Sequence, residues 1–98
     1  MRQTLAVILL LVLIGAVPPS ARGDDIADCT QSRDIERRIR GCARLLEAGR
    51  LSRTERATAY TRRGLAYAKK GQHDRAIADY NKAIQINPRL AGTYNNRG

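Results

Sequence analysis

The sequence has no phenylalanine and no tryptophan, one histidine, one methionine and two cysteines among 98 residues. Each shortage excludes something. Without Phe and Trp, most of the flat surfaces on which nucleic-acid bases stack are gone, so no nucleic-acid partner is expected. A lone histidine and no Cys-x-x-Cys leave no ligand set with the spacing of a metal site. His73 stands alone in a turn before Asp74, and no Ser/His/Asp set appears. The glycines Gly41, Gly49, Gly64 and Gly71 are dispersed among helical segments instead of forming a phosphate-binding loop. An enzyme is therefore not expected, and no cofactor is implied. Acidic residues are scarce as well: 9 Asp and Glu face 18 Lys and Arg, a formal charge of +9.

Long apolar runs are absent except for one. Leu5–Val17 is an unbroken stretch of thirteen apolar and small residues after the positive Arg2, and Pro18-Pro19-Ser20-Ala21-Arg22-Gly23 follows it. A positive start, a short apolar core and small residues at a cut are the order of a secretory signal peptide. The best cut lies after Gly23. A helix of this length spans roughly 20 Å against a hydrocarbon core of about 30 Å, which disfavours an uncleaved anchor. Cys29 follows Asp28, where a lipid-modified cysteine wants a small neighbour. The expected product is exported, periplasmic or secreted, and meets the membrane only transiently through its leader. Two cysteines in such a chain suggest a disulfide.

Removing residues 1–23 takes away Arg2 and Arg22 and lowers the charge to +7. Ten of the arginines fall between Arg33 and Arg63, opposed only by Asp34, Glu36, Glu47 and Glu55. Such a balance fits an anionic membrane, a glycan or an acidic protein as partner. It also fits arginine used as a helix former on solvated faces.

The remainder is helical and periodic. Ser52-Arg53-Thr54-Glu55 has the form of a capping box and predicts a helix start. Ala59, Tyr60, Arg63, Gly64 and Tyr67 recur at three- and four-residue steps, and Gly71 ends the run. Asp74 is the expected N-cap of a second helix, in which Ala76, Ile77, Tyr80, Ala83 and Ile84 repeat the spacing until Asn87-Pro88 breaks it. Residues 57–64, ATAYTRRG, align with residues 91–98, AGTYNNRG, at an offset of 34. Ala57, Tyr60, Arg63 and Gly64 each have their counterpart there, in Ala91, Tyr94, Arg97 and Gly98.

That period, with Tyr67, Gly71, Ala76, Tyr80, Ala83 and Pro88 at their spacings, resembles the tetratricopeptide-repeat family across residues 57–98. The resemblance implies an all-α fold of helical hairpins stacked as an α-solenoid. It implies a repeat core of Tyr60, Gly64, Tyr67, Ala76, Tyr80, Ala83 and Pro88. It also implies a groove for a protein or peptide partner on the first helix of the hairpin, at Thr58, Thr61, Leu65, Ala68 and Lys69. The carboxylate-clamping members of the family carry Lys and Asn where this chain has Thr61 and Leu65, which disfavours that ligand class.

A second offset, of 38, relates Cys29 and Cys42 to Tyr67 and Tyr80, Ile39 to Ile77 and Leu46 to Ile84. Residues 24–48 are thus read as a degenerate first hairpin, residues 57–90 as a full repeat and residues 91–98 as the start of the next. The two tyrosines touch across the hairpin in the family, so the resemblance places the cysteines where a Cys29–Cys42 bond can form. The alternative is two buried free thiols. Arg38 stands where the repeat has Ala76, so the first hairpin is expected to be splayed or shifted in register. Three functions stay open: an exported protein-binding module, a remnant of a longer repeat protein, and a basic peripheral protein that binds anionic lipid or glycan. Fewer than three full repeats also leave room for self-association.

Overall fold

Most of the described helix boundaries have a local chemical reason. The computed structural model describes residues 20–92. The Leu5–Val17 run and most of the segment 91–98 that repeats the hairpin start lie outside the described residues. Among the described residues four helices follow one another: α1 (Ser20–Gln31), α2 (Ile35–Ala48), α3 (Arg53–Lys69) and α4 (His73–Ile86). All regular elements among the described residues are helical, as the all-α expectation requires. α1 begins four residues before the expected cleavage point, at Ser20.

Asp34 caps α2 by accepting the Arg37 backbone N–H at 3.3 Å. Ser52 and Glu55 form the complete capping box of α3. Glu55 N donates to Ser52 Oγ at 3.1 Å, and Ser52 N donates to Glu55 Oε1 at 2.8 Å. Gly71, with φ +80°, closes α3. Its N–H reaches the Ala68 carbonyl and that of Gln72 reaches the Tyr67 carbonyl, the paired bonds of a Schellman turn. α4 is an exception. Its N-cap is Gln72, which makes no side-chain cap bond, and the expected cap, Asp74, sits inside the first turn. The Schellman turn delivers the chain into helical geometry early, and the Gln72 carbonyl already accepts from Ala76 at 3.1 Å. α4 stops at Ile86, where Asn87-Pro88 turns the chain, and a further helical turn starts at Leu90.

α1 packs on α2, α2 on α3 and α3 on α4, with a lesser contact of α1 with α3. The order is two antiparallel hairpins in series. The first contains the Cys29–Cys42 disulfide, with Cα atoms 4.6 Å apart. The two cysteines are 1% and 0% exposed and are the largest fully buried side chains. With Leu45 and Ala59 they form the core that joins the hairpins, and Leu46 and Leu51 close over it. The second hairpin buries a seam of small residues: Gly64, Ala66, Ala76 and Ala83. Tyr60, Tyr67 and Tyr80 are only half-buried beside that seam, and Pro88 is exposed. Pro88 therefore ends α4 and is not a core residue.

The first hairpin is not splayed. Its close approach is made at Gly41, not at position 38. A Cβ on Gly41 would lie 2.6 Å from Asp28 Cβ and 2.8 Å from the Cys29 backbone nitrogen. Arg38 is instead half-buried at the turn, where Nε and Nη2 both donate to the Ser32 carbonyl, at 3.1 and 2.6 Å. In the second hairpin the glycine is on the other helix. A Cβ on Gly64 would meet the Tyr80 ring at 2.6 Å. A ring can rotate aside more readily than a backbone pinned by a disulfide. Gly41→Ala is therefore expected to cost about 1–3 kcal/mol of stability and more than Gly64→Ala. Urea unfolding of the two variants checks the order, and equal or reversed costs would contradict the packing described.

Candidate functional site

The first helices of the two hairpins, α1 and α3, border an open groove. One cleft of 170 Å³ lies between them, lined chiefly by Ile26, Cys29, Leu45, Leu51, Thr54 and Thr58. A second, of 290 Å³, lies between α3 and the loop after α4, lined by Thr54, Thr58, Thr61, Arg62, Leu65 and Leu90 among others. Thr54 and Thr58 border both clefts, so the two adjoin across the N-terminal half of α3.

Of the groove residues expected from sequence, the structure brings Thr58, Thr61 and Leu65 together. Ala68 and Lys69 lie further along α3 and line neither cleft. Thr58 is exposed, while Thr61 and Leu65 are half-buried. The Thr58 hydroxyl donates to the Thr54 carbonyl at 3.1 Å and the Thr61 hydroxyl to the Ala57 carbonyl at 2.9 Å. Both protons are held by the helix itself, which lowers the groove's capacity to donate to a ligand. What remains is aliphatic: Ile26, 44% exposed, together with Leu51, Leu65 and Leu90.

Several contributors went unread in the sequence. Ile26 shares a face with Cys29 at three-residue spacing, a signal that α1 has an apolar side reaching past the disulfide. Arg62 gave no signal. Its Nη1 donates to the Thr30 carbonyl at 3.2 Å and ties α3 to the end of α1 beside the groove. The Arg63–Asp79 pair was also missed. Both arginine nitrogens reach the carboxylate at 2.8 Å, with Asp79 4% exposed. The guanidinium also lies 5.7 and 5.9 Å from the Tyr60 and Tyr67 ring centroids. The hydrogen bond to Asp79 raises the Arg63 pKa above its ordinary value, against the opposing effect of burial. The legible signal was an acid inside the Ala76–Tyr80–Ala83 stripe. Asp79 occupies that stripe, whereas Ile77, assigned to it from periodicity, is 55% exposed.

The arginine-rich segment is less basic in space than in sequence. Arg44 pairs with Asp25 at 2.5 Å and Asp28 at 3.3 Å, and Glu36 pairs with Lys70. Arg38, Arg53, Arg62 and Arg63 each bond a carbonyl or carboxylate within the fold. The carbonyl bonds fix those arginines without neutralising them, and Arg33, Arg37 and Arg40 are exposed. No group of three His, Cys, Asp or Glu that could hold a metal ion occurs among the described residues. No described helix is long and apolar enough to cross a membrane.

No curated protein and no solved structure matches the chain. Residues 57–90, which contain most of α3, the whole of α4 and the loop after it, match the family model of the tetratricopeptide repeat, and this supports the kinship that the 34-residue period indicated.

Proposed function

We propose that the protein is a non-catalytic, exported protein-binding module that takes a peptide or an extended segment of a protein partner in the groove across α1 and α3. The observation that carries this reading is the adjoining pair of open, largely aliphatic clefts on the first-helix side of both hairpins. The repeat match supports it, because tetratricopeptide repeats generally serve protein–protein interaction.

Leu65→Glu tests the site. Leu65 is half-buried and borders the second cleft. A carboxylate there disrupts apolar contact with a ligand, yet it retains access to water and so avoids the full cost of a buried charge. The variant is expected to keep its far-UV circular dichroism and to lose at least about tenfold in affinity for short peptides selected from a random displayed library. Loss of helix would place Leu65 in the core. Unchanged affinity would move the binding surface elsewhere.

Export rests on the leader-like order of residues 1–23. The mature chain is expected to begin at Asp24, read by N-terminal sequencing after expression in an exporting host. Intact Met1 in the membrane fraction would argue for a retained segment.

A further inference from the structure

The groove opens at one end onto a third cleft, and this one is basic. Arg53, Thr54, Asn87 and Arg89 line it, with a volume of 290 Å³. Thr54 also borders both groove clefts and Asn87 the second, which makes the three contiguous. Arg53 is exposed at the first position of α3. Its Nε donates to the Ile86 carbonyl at 3.0 Å, which fixes the side chain and uses one of five guanidinium N–H groups. Arg89 is exposed in the loop after α4, where its backbone N–H is held by Asn87 Oδ1 at 3.2 Å. The start of the long helix α3 adds its partial positive charge at this end. The acid nearest the groove, Glu55, is engaged with the Ser52 N–H in the capping box. Two arginines therefore line the mouth of an aliphatic channel, and each guanidinium offers donors that match a carboxylate.

We propose that the partner segment is acidic: an extended peptide whose aliphatic side chains fill the clefts on either side of Thr58 and whose Asp or Glu carboxylate reaches Arg53 and Arg89. This rests on the groove reading above and adds the partner's chemistry and polarity. The anchor lies at the loop end of the hairpin, apart from Thr61 and Leu65.

The test selects short random displayed peptides on the full oxidised chain and then measures synthetic copies of those retained, each beside a copy with its Asp and Glu changed to Asn and Gln. Retained peptides are expected to pair aliphatic residues with at least one acid. Arg89→Glu, which removes no side-chain bond among the described residues, is expected to weaken the acidic copies about tenfold and to leave the amide copies unchanged. Arg53→Gln is expected to act in the same direction. Binding of the acidic copies is also expected to fall as salt rises. Aliphatic peptides without acids, or acidic ones indifferent to both variants, would overturn this inference and leave the groove reading standing. Retention of no peptide by the wild-type chain would overturn both.

Discussion

Reduction of the Cys29–Cys42 bond is expected to lower the unfolding free energy by about 2–4 kcal/mol, a large share for a domain of this size. The bond closes a short loop, so the chain-entropy contribution is about 3 kcal/mol. Its position adds to this. Both cysteines are at most 1% exposed and stand at the centre of the core that joins the first hairpin to α3. The offset of 38 sets them against Tyr67 and Tyr80, and the first hairpin has no aromatic residue to hold it when the bond is cut. Gly41 allows α1 and α2 to approach closely but contributes no side chain of its own. Cys42→Ser is expected to match reduction and to exceed it slightly, because it also places a hydroxyl in an apolar core. Urea unfolding followed by circular dichroism, with and without a thiol reductant, gives the difference. A midpoint unmoved by reductant would mean that packing alone holds the hairpin. The proposed export and the bond are mutually consistent, since such bonds persist chiefly where thiols oxidise.

The second large effect belongs to the opposite hairpin. Asp79→Ala is expected to cost about 3–5 kcal/mol, the range for removing one partner of a buried ion pair. Asp79 is 6% exposed at its side chain and Arg63 22%, so the stranded guanidinium regains only part of its hydration. The two parallel bonds at 2.8 Å bridge α3 and α4 beside the alanine seam, where little other area is available to compensate. Replacing both residues by apolar ones of similar volume, as in Arg63→Met with Asp79→Leu, is expected to recover most of the loss. A double-mutant cycle in urea separates the pair from its surroundings. A single Asp79→Ala variant within about 1 kcal/mol of wild type would show that Arg63 swings to solvent and that the pair is dispensable.

How much of this was legible depends on how local each cause is. The capping box at Ser52 and Glu55, the stop at Gly71 and the break at Asn87-Pro88 are set by residues a few positions apart, and sequence reading found all three. The cysteine pairing was legible because two offsets mapped it onto the intact repeat. The first hairpin was expected to be splayed or shifted in register, because Arg38 stands where the full hairpin has Ala76. The chain meets the same steric need with Gly41 on the second helix, opposite to the use of Gly64 on the first. Periodicity alone put Ile77 in the core of α4. A helix face is decided by its neighbours, and here Arg63 across the hairpin draws Asp79 inward and turns Ile77 out. The groove was half legible. Thr58, Thr61 and Leu65 followed from the repeat positions, but Ile26, Arg62 and the basic mouth at Arg53 and Arg89 depend on how successive elements meet.

The central claim is that the partner lies across the first helices of both hairpins. Backbone and methyl chemical shifts of the isotope-labelled, oxidised chain, followed while a library-selected peptide is added, test it most directly. The largest changes are predicted at Ile26, Thr54, Thr58, Thr61 and Leu65, with Arg40 on α2 and Ile77 on α4 unmoved. Changes centred on Ile77 and the outer face of α4, with the α1–α3 groove silent, would contradict it.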